Sequence, residues 1–99
     1  MKILIADDDQ LSQIALKATL GPYGECVCAA NGREAVDLFT LAMDAGEPFS
    51  VVFMDIQMPV MDGHAALAAI RELERSRGAQ PGNEAKAVMI TCHDDVKNV

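Results

Sequence analysis

Short apolar runs and longer amphipathic stretches alternate along the chain. The short runs are four or five residues long and consist mainly of apolar residues, which is typical of buried β-strands. The longer stretches carry apolar residues three and four positions apart, which is typical of amphipathic helices. The pattern predicts strands at residues 2–6, 25–29, 50–54 and 87–90, and helices at 10–20, 32–45 and 63–77.

Polar residues that can cap a helix stand at each predicted helix start. Asp9 and Asp62 precede the first and third helices, and an aspartate at this position accepts a hydrogen bond from a free backbone N–H group. Asn31 followed by Glu34 is a capping box for the second helix, and Gly46 ends that helix. These signals agree with the bounds that the apolar pattern predicts.

Each predicted helix has one apolar face. In the first helix the apolar residues are Leu11, Ile14, Ala15 and Ala18. In the third they are Ala66, Leu67, Ala69, Ile70 and Leu73. We expect these faces to pack against the sheet, because burial of apolar surface is what holds a helix to its neighbours.

Three strand–helix units followed by a fourth strand predict an α/β fold with a parallel sheet. Strands without polar alternation are buried on both sides, so helices are expected to cover both faces of the sheet. In open sheets of this kind, ligands bind beyond the carboxyl ends of the strands. Functional residues are therefore expected at that edge.

Composition narrows the range of partners and locations. The chain of 99 residues, enough for one small domain, carries 8 Lys and Arg against 15 Asp and Glu, a net charge of −7. This excess of negative charge disfavours contact with nucleic acids or anionic membranes. No apolar run approaches the roughly 20 residues of a membrane span. Three cysteines without a metal-ligand spacing suit a reducing compartment, so we expect a cytoplasmic protein.

Polar residues follow three of the predicted strands directly. Asp7, Asp8 and Asp9 follow the first strand, Asp55 follows the third, and Thr91 follows the fourth. Clustered carboxylates repel one another, a divalent cation relieves the repulsion, and Mg²⁺ prefers oxygen ligands. The edge is therefore predicted as a magnesium site that can hold a phosphoryl group. The alternative is a solvated acidic loop in which Asp9 only caps the helix.

Three blocks of sequence lie at these strand ends: ILIADDD at 3–9, MDIQMPVMDG at 54–63 and VMIT at 88–91. In this order and at this spacing they resemble the receiver domain of two-component response regulators. The middle block is the most specific of the three. The resemblance covers the whole chain and implies a flavodoxin-like α/β fold, a doubly wound parallel sheet with strand order 2-1-3-4-5.

The resemblance also implies a role for each residue at the edge. Asp55 is expected to take a phosphoryl group from a histidine kinase or a phosphotransfer protein. Mg²⁺ is the expected cofactor, and its protein ligands would be Asp8 directly, Asp7 through water or hydrogen bonds, Asp55, and the backbone carbonyl of Gln57. Thr91 is expected as the switch hydroxyl that moves toward the phosphoryl group. Such a domain is a phosphoacceptor in signal transduction and not a conventional enzyme.

The sequence departs from the family pattern at its carboxyl terminus. Receiver domains continue through a fourth helix, a fifth strand that ends in lysine, and a fifth helix, whereas this sequence ends at Val99. We therefore expect residues 1–99 to be a receiver domain that is incomplete at the carboxyl terminus. An apolar edge at residues 87–90 would then be unpaired. If residues 1–99 are the whole chain, we expect a homo-oligomer through this fourth-strand edge, and if they are a fragment, we expect aggregation or a molten state until the missing piece is restored.

Other classes of function fit the same residues less well. A haloacid-dehalogenase-type phosphatase also uses Asp-x-Asp after its first strand, and Asp7 and Asp9 have that spacing, but Leu11 stands where Thr or Ser is needed. A flavin- or nucleotide-binding domain needs a phosphate loop rich in Gly, Ser or Thr, and three aspartates there repel phosphate. The main alternative is a receiver-like protein-interaction module that works without phosphorylation.

Overall fold

Four strands form the centre of the described part of the molecule, and three helices connect them. The computed structural model describes residues 1–79 and 82–90. The strands are β1 (Lys2–Ala6), β2 (Glu25–Ala29), β3 (Val51–Asp55) and β4 (Lys86–Ile90), and the helices are α1 (Gln10–Leu20), α2 (Gly32–Asp44) and α3 (Gly63–Ser76). A short 3-10 helix, Gly21–Tyr23, follows α1 directly. The observed bounds differ from the predicted ones by at most one residue.

All four strands are parallel, and their order across the sheet is β2-β1-β3-β4. This order confirms the predicted doubly wound α/β fold for the first four strands. Because β1 and β3 lie next to each other at the centre of the sheet, the residues that follow these two strands meet at one edge.

One face of the sheet carries the main hydrophobic core. Leu4 and Met54 point from the central strands into a buried cluster that includes Phe39 of α2 and Ile70 of α3. Side chains alternate between the faces of a strand, so Ile3 and Ile5 point to the opposite face. Both isoleucines are buried, and α1 lies on that side.

Helix α1 packs on the sheet with a different face from the predicted one. No residue of α1 is buried, and Leu11 and Ile14 of the predicted apolar face are 75% and 65% exposed. The partly buried residues are Ser12, Gln13, Leu16 and Leu20. The prediction was wrong because two polar residues belong to the packed face, while apolar residues occupy the exposed one.

The predicted helix caps are confirmed. Asp9, Asn31 and Asp62 each accept a hydrogen bond from a backbone N–H in the first turn, at 2.8–3.1 Å. The capping box differs in one detail, because the Glu34 side chain accepts from the backbone N–H of Ala30, at 2.7 Å, one residue before the cap. These local bonds set where each helix begins, and hence where the preceding loop ends.

An ion pair with a buried carboxylate lies at the amino end of the sheet, and the sequence pattern did not predict it. Glu74 near the end of α3 is only 3% exposed. One of its carboxylate oxygens accepts from Arg71, and the other accepts from the backbone N–H of Ala85, each at 2.8 Å. Since Ala85 directly precedes β4, this carboxylate fixes the entry into that strand.

The helices of the described segments are short. The longest is α3, with 14 residues. Across residues 1–79 and 82–90, no helix combines the length and the apolar character that crossing a membrane requires.

Candidate functional site

The carboxyl ends of β1 and β3 bring two aspartates together. Asp55 is the last residue of β3, and Asp7 directly follows β1. The two strands are paired in register, with Ala6 opposite Met54, so Asp7 and Asp55 lie side by side one residue farther along. The sequence places apolar residues before both aspartates, and the burial of those residues takes the carboxylates out of water.

Three carboxylates converge at this edge. One oxygen each from Asp7, Asp8 and Asp55 lies within 4.8 Å of the others. Asp7 and Asp55 are fully buried, whereas Asp8 is exposed. The cluster is therefore open to solvent on the Asp8 side and closed on the other.

The Asp7 carboxylate is only half satisfied. Its Oδ1 accepts a hydrogen bond from the backbone N–H of Asp9 at 2.9 Å. Its Oδ2 is buried and has no hydrogen-bond partner among residues 1–79 and 82–90. Burial raises the pKa of Asp7, the hydrogen bond from Asp9 lowers that pKa, and the negative charges of Asp55, Asp8 and Asp9 raise it further.

This donor set fits a divalent cation. A buried carboxylate oxygen without a partner is costly, and a cation beside it would remove the cost. Mg²⁺ takes oxygen ligands and commonly combines one or two carboxylates with water and a phosphate. Asp7, Asp8 and Asp55 offer such oxygens, and the exposed side of the cluster leaves space for water.

Backbone N–H groups of the loop after β3 hold Asp55 and the end of β3 in place. The side chain of Asp55 accepts a hydrogen bond from the backbone N–H of Gln57 at 3.1 Å. The N–H of Gly63 donates to the carbonyl of Ile56 at 2.8 Å, and a β-carbon at Gly63 would overlap the carbonyl oxygen of Asp55. Glycine is therefore required where α3 begins, so that this helix can approach the end of β3.

A strained turn lies farther along the same loop. Val60 has a positive φ of 69°, which is rare for a β-branched residue, and its side chain is 82% exposed. The N–H of Met61 donates to the carbonyl of Pro59 at 2.7 Å and closes a three-residue turn around Val60. The N–H of Gly32 at the start of α2 donates to the carbonyl of Met61 at 3.0 Å and links this turn to the second helix.

The two remaining predicted site residues are Gln57, which the structure describes, and Thr91, which it does not. Gln57 lies two residues after Asp55, and its side chain is exposed. Thr91, the predicted switch hydroxyl, lies outside the described residues. Its preceding residue, Ile90, is the register partner of Asp55 and accepts a hydrogen bond from the N–H of Ile56 at 3.2 Å. The structure thus brings Asp7, Asp8 and Asp55 together and leaves the predicted role of Thr91 as a prediction.

One residue near the cluster was missed by the sequence reasoning. The side-chain amide of Gln13 donates to the backbone carbonyls of Asp7 and Ala29, at 2.6 Å and 3.2 Å. Gln13 lies three residues before Leu16 on the face of α1 that packs on the sheet. That spacing was the available signal, and the apolar pattern concealed it because Gln13 is polar.

Comparisons with known proteins agree with this geometry. The family model described as "Response regulator receiver domain" matches residues 3–99. Among curated proteins, the Hybrid signal transduction histidine kinase I of Dictyostelium discoideum is 31% identical over 93% of this chain. That match covers 5% of the kinase, so the chain spans a small part of the length of this relative.

Solved structures show the same similarity. The receiver domain of the histidine kinase CKI1 from Arabidopsis thaliana, complexed with Mg²⁺ and BeF₃⁻, matches with a TM-score of 0.72 and 33% identity. That match covers 89% of this chain and 64% of the CKI1 chain.

A second solved structure is the co-crystal of the Saccharomyces cerevisiae histidine phosphotransfer protein Ypd1 with the receiver domain of Ssk1. It matches with a TM-score of 0.71 and 28% identity, over 90% of this chain and 60% of that chain. The chain therefore spans less than two thirds of these two solved chains. Because the family model matches nearly the full length of this chain, the chain belongs to the response regulator receiver domain family.

Proposed function

We propose that this domain accepts a phosphoryl group on Asp55 in a reaction that depends on Mg²⁺. The observation that carries the proposal is the buried Oδ2 of Asp7, which lacks a hydrogen-bond partner among the described residues and lies beside the carboxylates of Asp8 and Asp55. The proposed protein ligands of Mg²⁺ are Asp8 directly, Asp7 through water or hydrogen bonds, Asp55, and the backbone carbonyl of Gln57. Membership of the receiver family supports the assignment.

The proposed chemistry is phosphoryl transfer from a phosphohistidine. The Asp55 carboxylate attacks phosphorus, the bond between phosphorus and the donor imidazole nitrogen breaks, and the imidazole takes up a proton. Asp55 needs no general base, because an ionised carboxylate is already the nucleophile. When bound, Mg²⁺ would supply neutralisation of the charge on the phosphoryl oxygens. The proposed role of the Thr91 hydroxyl is to move toward the phosphoryl group after transfer.

The proposed partner is a histidine kinase or a histidine phosphotransfer protein. The similarity to the Ypd1–Ssk1 co-crystal supports a partner of this kind. The exposed apolar face of α1 supports it as well, since Leu11 and Ile14 lie within a few residues of Asp8 and are 75% and 65% exposed. Exposed apolar residues in one patch are typical of protein–protein contacts. The net charge of −7 disfavours nucleic acid as a partner of these residues.

The extent, location and assembly of the domain are also proposals. The proposed receiver domain covers residues 1–99, of which the family model matches 3–99. The free thiols of Cys26 and Cys28 fit a cytoplasmic location.

Among the described strands β4 pairs only with β3, and Val88 is 42% exposed, so a homo-oligomer through the outer edge of β4 stays a prediction. Sedimentation at micromolar concentration tests it, and a folded monomer would contradict it.

The proposed phosphoryl transfer is tested with a small acyl phosphate as donor. The protein is incubated with the donor and Mg²⁺, and its intact mass is measured. We expect the mass to increase by one phosphoryl group in the wild type and to stay unchanged in Asp55→Asn. Asp62→Asn is the matched control, because Asp62 caps α3 and is expected to be labelled like the wild type.

The outcome separates the three candidate classes. Donor hydrolysis without an adduct would favour a phosphatase. Neither hydrolysis nor an adduct would favour an interaction module that works without phosphorylation. Undiminished labelling of Asp55→Asn would show that another residue is the acceptor.

A further inference from the structure

Gln13 connects three elements at the carboxyl end of the sheet. It lies on the partly buried face of α1, and its side-chain nitrogen donates to the carbonyl oxygen of Asp7 at 2.6 Å. The same nitrogen donates to the carbonyl oxygen of Ala29, the last residue of β2, at 3.2 Å. A side-chain NH₂ group has two hydrogens, so both of them are used on backbone oxygens.

The first of these oxygens belongs to the peptide bond that joins Asp7 to Asp8. This peptide is planar, so its orientation determines the directions in which the Cα atoms of Asp7 and Asp8 leave it. The preceding peptide, between Ala6 and Asp7, is held as well, because the N–H of Asp7 donates to the carbonyl of Ala29 at 3.0 Å. Gln13 therefore holds the backbone from which two of the three clustered carboxylates project.

We propose that Gln13 is a positioning residue for the cation site: its amide fixes the Asp7–Asp8 peptide, and thereby the separation of the Asp7 and Asp8 carboxylates. The inference rests on the proposed function, since it presumes that the cluster binds Mg²⁺. Gln13 touches neither carboxylate group, so it acts through the backbone. Residues that hold metal ligands in place without touching the metal contribute to metal binding, and their loss typically costs about 10- to 100-fold in metal affinity.

Two substitutions remove the donor in different ways. Gln13→Met keeps the length of the side chain and loses both N–H groups. Gln13→Glu keeps the shape and replaces the donor by an ionised oxygen, which repels the two carbonyls and adds a negative charge near the cluster. Positioning predicts weaker Mg²⁺ binding in both variants. An effect of charge alone predicts tighter binding in Gln13→Glu, because Mg²⁺ is attracted by the added charge.

The matched control is Thr19→Ala. Thr19 also lies on α1, and its hydroxyl donates to the carbonyl of Ala15 within the same helix at 2.9 Å. The substitution thus removes one hydrogen bond from a side chain to the backbone, and it leaves the strands untouched. A general loss of helix stability would affect Thr19→Ala and the Gln13 variants alike.

The experiment measures Mg²⁺ affinity by calorimetry on the full chain, below the unfolding temperature of each variant. We expect about tenfold weaker binding in Gln13→Met and Gln13→Glu, and wild-type affinity in Thr19→Ala. The carbonyl ¹³C shift of Asp7, measured by NMR without metal, is expected to change in both Gln13 variants and to stay unchanged in the control. If Gln13→Met does not fold, Gln13→Glu carries the test, because it preserves the side-chain shape.

The outcomes separate this inference from the proposed function. Wild-type Mg²⁺ affinity in both Gln13 variants would overturn the inference alone and leave the cation site in place. Tighter binding in Gln13→Glu would also overturn it, in favour of a charge effect. Absence of Mg²⁺ binding by the wild type would overturn the proposed function and this inference together.

Discussion

The two ends of the sheet both bury carboxylates, and they treat these charges in opposite ways. At the amino end, both oxygens of Glu74 have partners, Arg71 and the backbone N–H of Ala85, each at 2.8 Å. At the carboxyl end, Asp7 and Asp55 are fully buried next to each other, and Oδ2 of Asp7 has no hydrogen-bond partner among the described residues. Negative charge is balanced at one end and accumulates at the other.

The difference indicates which end has a structural task and which end a chemical one. Burying a charge without a partner is costly, and a fold that pairs Glu74 with Arg71 shows how the chain avoids that cost. At the carboxyl end, the buried Oδ2 of Asp7 has no hydrogen-bond partner among the described residues. A cluster of carboxylates in which burial raises the pKa of one member, here Asp7, is typical of functional sites, where a ligand completes the arrangement.

The largest expected effect comes from removing the Glu74 carboxylate at the amino end of the sheet. Glu74→Ala is expected to lower the free energy of unfolding by roughly 2–4 kcal/mol, because it leaves the Ala85 N–H buried without an acceptor and Arg71 without its partner. Urea unfolding measures the change. Glu72→Ala is the control on the same helix, since the Glu72–Arg75 pair is exposed and such pairs contribute about 0–1 kcal/mol. Equal losses in the two variants would contradict a special role for Glu74.

The second effect separates the contributions of Asp8 and Asp7 to Mg²⁺ binding at the carboxyl end of the sheet. Asp8→Asn is expected to weaken Mg²⁺ binding about tenfold or more, roughly 1.4 kcal/mol, because it removes the proposed direct ligand. Asp7→Asn is expected to weaken binding less, because Asp7 is proposed to act through water or hydrogen bonds. Calorimetric titration of the two variants gives the order. Equal and weak effects would mean that the acidic residues form only a solvated loop.

The smallest effect has the opposite sign from that of Glu74→Ala. In metal-free buffer, Asp7→Asn is expected to raise the free energy of unfolding by more than the roughly 0.5 kcal/mol scatter of surface substitutions. The reason is that the amide removes a negative charge that burial and the neighbouring Asp55 disfavour. Urea unfolding in EDTA measures the gain. Asp37→Asn is the control, because the Asp37 side chain is exposed on α2.

The gain from Asp7→Asn is expected to depend on pH in one direction. Because burial raises the pKa of Asp7 above its ordinary value of 3.8, the folded state binds this proton more tightly than the unfolded state. The cost of the charged carboxylate is therefore present at neutral pH and is relieved as the pH falls through the raised pKa. The variant should lose its advantage over the same range, and an advantage that stays constant with pH would contradict this explanation.

The sequence predicted those parts of the fold that depend on local signals. The alternation of strands and helices predicted a parallel sheet, and caps such as Asp62 are specified by a single residue type at a helix start. The order of the strands was implied by the resemblance to receiver domains. The meeting of Asp7 and Asp55 was predictable too, because parallel neighbouring strands end at the same edge.

The parts that the sequence did not predict depend on tertiary contacts of polar residues. The packed face of α1 was assigned wrongly because Ser12 and Gln13 lie on it, and Gln13 finds its partners only in the folded backbone of β1 and β2. Glu74 in an amphipathic helix is normally a solvent-facing residue, and its burial depends on Arg71 and on the start of β4. Such residues carry no apolar signal, so periodicity does not detect them.

The most direct test of the cation site is to measure the free energy of unfolding at increasing concentrations of Mg²⁺. For a cation that binds only the folded state, this free energy rises as RT ln(1 + [Mg²⁺]/Kd). We expect this rise in the wild type and in Glu74→Gln, which differs only at the amino end of the sheet, and a nearly flat line in Asp8→Asn. A flat line in the wild type, or the same rise in Asp8→Asn, would contradict the claim that the carboxylates at the carboxyl end of the sheet form a cation site.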